Sequence, residues 1–116
     1  MFTQTLDMTA LASTKIWWIP VPVTCRLIMA HLAVETAITT ADSGITLTDG
    51  TNIIGEITGT FTASAPGDVH EMVCNATTLG KVELGPDLPL KVDCDDAPDA
   101  GAGMLTLTFD EFHAGD

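Results

Sequence analysis

The chain has 116 residues, with 16 Asp or Glu against 4 Lys or Arg, a formal net charge of −12 and 46% hydrophobic residues. A domain of this length buries roughly two-thirds of its unfolded surface, so it can build a core without metals or cross-links and has no room for two domains. That apolar fraction, with only 17% charged residues, argues against disorder. The scattered Lys15, Arg26, Lys81 and Lys91 cannot neutralise a phosphate backbone or an anionic bilayer, which excludes nucleic acid and membrane surfaces as partners.

Residues 1–13 mix polar and apolar types without a clean period and read as an extended N-terminal arm, ordered against a neighbour. They also lack a basic region followed by an apolar run and a small-residue cleavage site, so no secretory signal is expected. Residues 14–116 read as a single domain. The apolar stretch Ile16 to Val34 is interrupted by Pro20, Pro22, Arg26 and His31, which a membrane helix does not tolerate, and it reads as two strands. Short apolar or Thr-rich runs then alternate with Gly, Pro, Asn and Asp clusters about every ten residues, the spacing of an all-β sandwich or barrel. The 18 Thr residues fit such pleated, half-exposed surfaces.

Eight strands are predicted, over 15–21, 25–34, 45–48, 52–62, 68–75, 81–84, 88–93 and 104–112. Alternation is clearest where Leu105, Leu107 and Phe109 face one way and Thr106, Thr108 and Asp110 the other. Asp49-Gly50 after Ile45-Thr46-Leu47-Thr48 predicts a two-residue hairpin turn. The run 25–34 is apolar on both faces, which places it centrally or against another subunit. No segment carries an uninterrupted helical period.

Cys25, Cys74 and Cys94 are an odd, widely spaced set and read as buried, inert thiols rather than disulfide or zinc ligands. Asp93, Asp95, Asp96 and Asp99 form the densest charge cluster, a weak Ca²⁺ candidate whose spacing departs from the EF-hand order; a solvated loop is the stronger reading. His70-Glu71 places an imidazole beside a carboxylate, the remote basis for a hydrolase. With no G-x-S-x-G motif and only Ser13, Ser43 and Ser64 as serines, no nucleophile is visible, and the expectation is a protein that is not an enzyme and needs no cofactor. Trp17 and Trp18 are adjacent, so a strand sends them to opposite faces and one indole must leave the core for an interface, a second layer or solvent.

The string Ile16-Trp17-Trp18-Ile19-Pro20-Val21-Pro22-Val23, the long run 25–34, then Thr36-Ala37-Ile38-Thr39-Thr40-Ala41-Asp42 and Ile45-Thr46-Leu47 resembles the small trimeric head-decoration, or cement, proteins of tailed bacteriophages. Leu88-Pro89-Leu90-Lys91-Val92-Asp93, an acidic loop and Gly101-Ala102-Gly103 extend the resemblance over residues 14–112. It implies an antiparallel jelly-roll-like β-sandwich made in the host cytoplasm. It also implies a homotrimer docked on the major capsid protein at the virion surface. Trp17, Trp18 and the arm residues Phe2, Leu6, Met8 and Leu11 are then the candidate interface. The alternative is a carbohydrate- or receptor-binding jelly roll of a tail or fibre, stacking an exposed Trp on sugar rings.

Overall fold

A computed structural model of the protein describes residues 1–8, 15–36, 44–57, 65–75, 82–95 and 102–111. The described residues form nine strands and no helix: β1 (Phe2–Met8), β2 (Lys15–Ile19), β3 (Cys25–Thr36), β4 (Gly44–Thr48), β5 (Ile53–Ile57), β6 (Val69–Glu71), β7 (Val73–Cys74), β8 (Leu90–Asp95) and β9 (Ala102–Glu111). They build two antiparallel sheets packed face to face, ordered β1-β9-β3-β6 and β2-β8-β4-β5-β7, which is the β-sandwich expected. The pairing is nested, with β1 on β9, β2 on β8, β3 on β6 and β4 on β5.

Alternation sorts the side chains. In β9, Leu105, Leu107 and Phe109 are fully buried while the Thr and Asp residues between them are half-exposed. In β3 the inward set starts as Cys25 and Leu27 and continues as Ala30, Leu32 and Val34, so odd numbers give way to even ones. A bulge causes the change: the register jumps from Leu27 opposite Phe109 to Met29 opposite Thr108, leaving Ile28 as the extra residue. This strand is central in its sheet, between β9 and β6, as its two-sided apolar character predicts. Ile45 and Leu47 of β4 with Leu90, Val92 and Cys94 of β8 supply the facing half of the core.

Three sequence expectations need correction. The arm assigned to residues 1–13 is, over Phe2–Met8, a strand paired with β9 along its whole length. Phe2, Leu6 and Met8 do alternate with exposed Thr3, Thr5 and Asp7; the polar Gln4 in the inward series hides the period. Gln4 is accommodated because its Nε2 donates to the Pro20 carbonyl 3.1 Å away, tying the margin of one sheet to the other. Second, the strand predicted over 81–84 is reduced to a bridge between Leu84 and Cys25. Third, the strand predicted over 68–75 breaks at buried Met72, where the chain passes from one sheet to the other.

The hairpin signalled by Asp49-Gly50 forms, but Thr48 pairs with Ile53, so its loop is the four residues 49–52. Gly50 has φ of +104°, a conformation that only glycine adopts cheaply. The Asp49 carboxylate accepts from the backbone N–H groups of Thr51 at 2.8 Å and Asn52 at 2.6 Å. Partial burial pushes this carboxyl up, but the hydrogen bonds from Asn52 and Thr51 outweigh it, so it sits below its ordinary value. A lowered folded pKa gives stability that is present above the unfolded value of roughly 4 and is lost as the pH falls through the folded one. Asp49→Ala should therefore lower stability by roughly 0.5–1 kcal/mol at neutral pH, modest because the side chain is solvent-screened. Thermal melts of variant and parent should converge as the pH is taken below the carboxylate range.

Candidate functional site

The end of the sandwich that carries the connections 20–24, 49–52 and 85–89 brings together four exposed large apolar side chains, while Val69 and Val73 are exposed elsewhere, on β6 and β7. Backbone bonds between Cys25 and Leu84 at 2.8 and 2.9 Å, and between Gly85 and Leu88 at 2.9 and 3.2 Å, tie these segments down. They hold Pro20, Pro22, Pro86 and Pro89, four of the chain's six prolines, which fix φ and shorten the menu of loop conformations. Val23 at 38% and Leu88 at 42% are exposed on them, and Trp18 at 52% and Ile53 at 38% are exposed on the adjoining strands.

The Trp pair separates as its position in a strand requires. Trp17 turns inward and packs, partly buried, against the core together with Ile19. Trp18 lies on the outer face with Ile16, opposite Lys91 in the register, and Lys91 Nζ stands 5.7 Å from the centre of its ring. That cation–π contact holds the indole at the sheet surface without covering it. Gly50 lies against the ring's far edge, where even a Cβ would come within 3.7 Å, so the 49–52 turn and Trp18 form one continuous surface.

Of the other candidate interface residues, Met8 is fully buried, and Phe2 and Leu6, on the edge strand β1, are partly buried against the chain's own core. Leu11 lies outside the described residues. Asp93 projects from the outer face of β8, between Ile16 and Thr46 in the register, and Asp95 is the last residue of the same strand. Asp96 and Asp99 lie outside the described residues, and among those described no group of three or more metal-ligating side chains comes together.

The His70-Glu71 pairing is also corrected. Adjacent strand residues face opposite ways, so His70 stands across from Leu32 while Glu71 stands across from His31. The imidazole that reaches Glu71 is that of His31, with Nε2 3.7 Å from Oε1 on the exposed face. Nothing in the sequence marked this pair, because the contact depends on the β3–β6 register. None of the three cysteines is in a disulfide. Burial, with the Glu111 charge second, pushes the Cys25 thiol up to about 11, so it is protonated and unreactive at neutral pH. Cys74 is half-buried beside a cavity of about 240 Å³ lined by Gly55, Glu56, Val73 and Asn75.

Compared with protein-family profiles, curated proteins and solved structures, the chain shows no match.

Proposed function

We propose that the chain is a structural, non-enzymatic virion protein that binds the outside of an assembled bacteriophage head, on its major capsid protein, and stabilises it. The observation that carries this reading is the apolar end of the sandwich, where Val23 and Leu88 are exposed on short connections rich in proline and Trp18 and Ile53 on the strands beside them. Loops already fixed lose little entropy when they dock, and an exposed indole is the side chain most often found as an interface anchor. The nested strand pairing supports a jelly roll, an architecture shared by capsid and lectin domains. Contacts of modest strength suffice on a shell, because many copies act together. The −12 charge keeps unbound copies soluble until specific apolar contacts form.

Electron cryo-microscopy of particles that carry the chain tests this: density outside the shell is expected, and density confined to the tail or fibres would overturn it. Trp18→Ala, at a half-exposed surface position, should leave stability within about 1 kcal/mol of the parent. It should lower occupancy on the shell at least about tenfold, the effect of losing one interface anchor. The exposed indole also favours a carbohydrate-binding role as the second reading. A glycan array in which Trp18→Ala abolishes binding, together with no density on the shell, would decide for that role.

A further inference from the structure

Each sheet has two margins, and three of the four carry features that discourage another strand from pairing there. β6 and β7 are three and two residues long. β2 is five residues long, begins at Lys15 and runs into Pro20 and Pro22, which have no N–H to donate. β1 has none of these features. It is seven residues long, without Pro, Gly or Lys, and its register with β9 runs unbroken from Phe2 opposite Phe109 to Met8 opposite Gly103. Among the described residues no strand pairs with its outer side, where alternate N–H and C=O groups point away from β9.

We propose that β1 is the self-association edge of this protein, where β1 of a second copy adds antiparallel about a two-fold axis centred on Thr5. The occupant follows from phase and charge. A strand added to this margin must place apolar residues on the inward side and polar ones outward, in step with β1, or its apolar side chains land in solvent. Any antiparallel self-pairing centred on a residue keeps this phase, and the one centred on Thr5 is the one that pairs all seven residues of β1. Thr5 lies across from Thr5 of the second copy, Thr3 from Asp7, Gln4 from Leu6 and Phe2 from Met8, so exposed residues meet exposed ones and core-facing residues meet core-facing ones. Asp7 is the only charged residue in the strand, and this register sets it opposite a threonine, far from its own symmetry mate. The product is a continuous eight-stranded sheet made of two copies of the four-stranded one. Opposing it is the net charge of −12 on each copy, a long-range repulsion that salt screens, so association should tighten as ionic strength rises.

This inference goes beyond the shell-docking reading and uses a different surface: β1 borders the apolar end, where Gln4 bonds the Pro20 carbonyl, but the groups that would pair are those on the outer edge of the strand. An isologous edge pairing closes at two copies, whereas the resemblance implies three. Sedimentation equilibrium of the full chain, at physiological salt and above, should therefore give twice the 12.2 kDa chain mass. A trimer or a monomer throughout would overturn the proposal. Thr5→Lys sets two like charges opposite each other at the axis and should raise the dimer dissociation constant at least about tenfold, with an unchanged far-ultraviolet circular dichroism spectrum. A Thr5→Lys dimer as tight as the parent would overturn it.

Cross-linking gives an independent check of register. Residues opposite each other in antiparallel strands have Cα atoms about 4.5–5.5 Å apart, within disulfide range. Thr5→Cys, treated with oxidised glutathione, should become a covalent dimer much faster than Thr3→Cys, whose counterpart is Asp7. Equal rates, or none above the parent chain, would overturn it. Neither result bears on docking to a shell, so the two readings fail separately.

Discussion

Phe109→Ala should be the most damaging single side-chain truncation in this protein, costing about 3–5 kcal/mol and lowering the melting temperature by roughly 10–20 °C. Phe109 is the largest fully buried side chain, and its register neighbours, Phe2 on β1 and Leu27 on β3, place it in the middle of its sheet. Its ring stacks on Phe2 with centroids 5.0 Å apart and planes 17° from parallel. Truncation therefore removes the transfer energy of a whole phenyl ring, leaves a void under three strands and ends a stacked pair worth about 0.5–1.5 kcal/mol beyond its area. Domains of this size have total stabilities of about 5–15 kcal/mol, so a large share is at risk in one substitution. Phe109→Leu, which keeps most of the volume, should cost less than about 2 kcal/mol. Urea denaturation of the three proteins checks the order; equal midpoints for the Ala variant and the parent would mean that the core is organised around other residues.

The sheet that contains Phe109 was legible in its centre and not at its margins, for a physical reason. The pattern Leu105-Thr106-Leu107-Thr108-Phe109 announces a half-buried strand because a pleated backbone sends alternate side chains to opposite faces, and β9 follows it. Margins obey weaker rules. β1 carries Gln4 at an inward position, tolerable only because the edge lets its amide reach the Pro20 carbonyl, a bond between residues sixteen apart that no local pattern encodes. The bulge at Ile28 also escapes a period count, since it shifts which residues face inward halfway along β3.

The candidate site divides the same way. That Trp17 and Trp18 must part company follows from strand geometry alone, and the structure sends Trp17 in and Trp18 out. That Trp18 would meet Lys91 and the 49–52 turn depends on β2 pairing with β8 and β8 with β4, contacts between segments more than thirty residues apart. Likewise the gathering of Pro20, Pro22, Pro86 and Pro89 at one end follows from the antiparallel pairing of β2 with β8. In the sequence they are two separate clusters that look like ordinary turn punctuation.

Gly55→Ala should be the second most informative change, because it adds one methyl group and yet costs about 1–3 kcal/mol. A Cβ at Gly55 would come 2.6 Å from both Cγ and Sδ of Met72 and 2.9 Å from the backbone oxygen of Val73. Met72 is the buried residue at which the chain leaves β6 for β7, and its N–H donates to the Ala30 carbonyl at 2.8 Å, so it plugs the closed side of the sandwich from a fixed backbone position. The long, flexible thioether can swing aside. The Val73 carbonyl cannot move without shifting the two-residue strand β7, which pairs Cys74 with Gly55 and Val73 with Glu56. A double-mutant cycle separates the two clashes. Met72→Ala alone opens a cavity and should cost about 2–5 kcal/mol. If both contacts matter, the double variant should be more stable than the sum of the single costs by about 1 kcal/mol, since the side-chain clash is relieved. It should still show faster amide exchange across β7 than Met72→Ala, since the backbone clash remains. Full additivity would mean that Met72 never contacts the new methyl group; complete rescue would mean that the carbonyl of Val73 yields freely and β7 is not fixed in place.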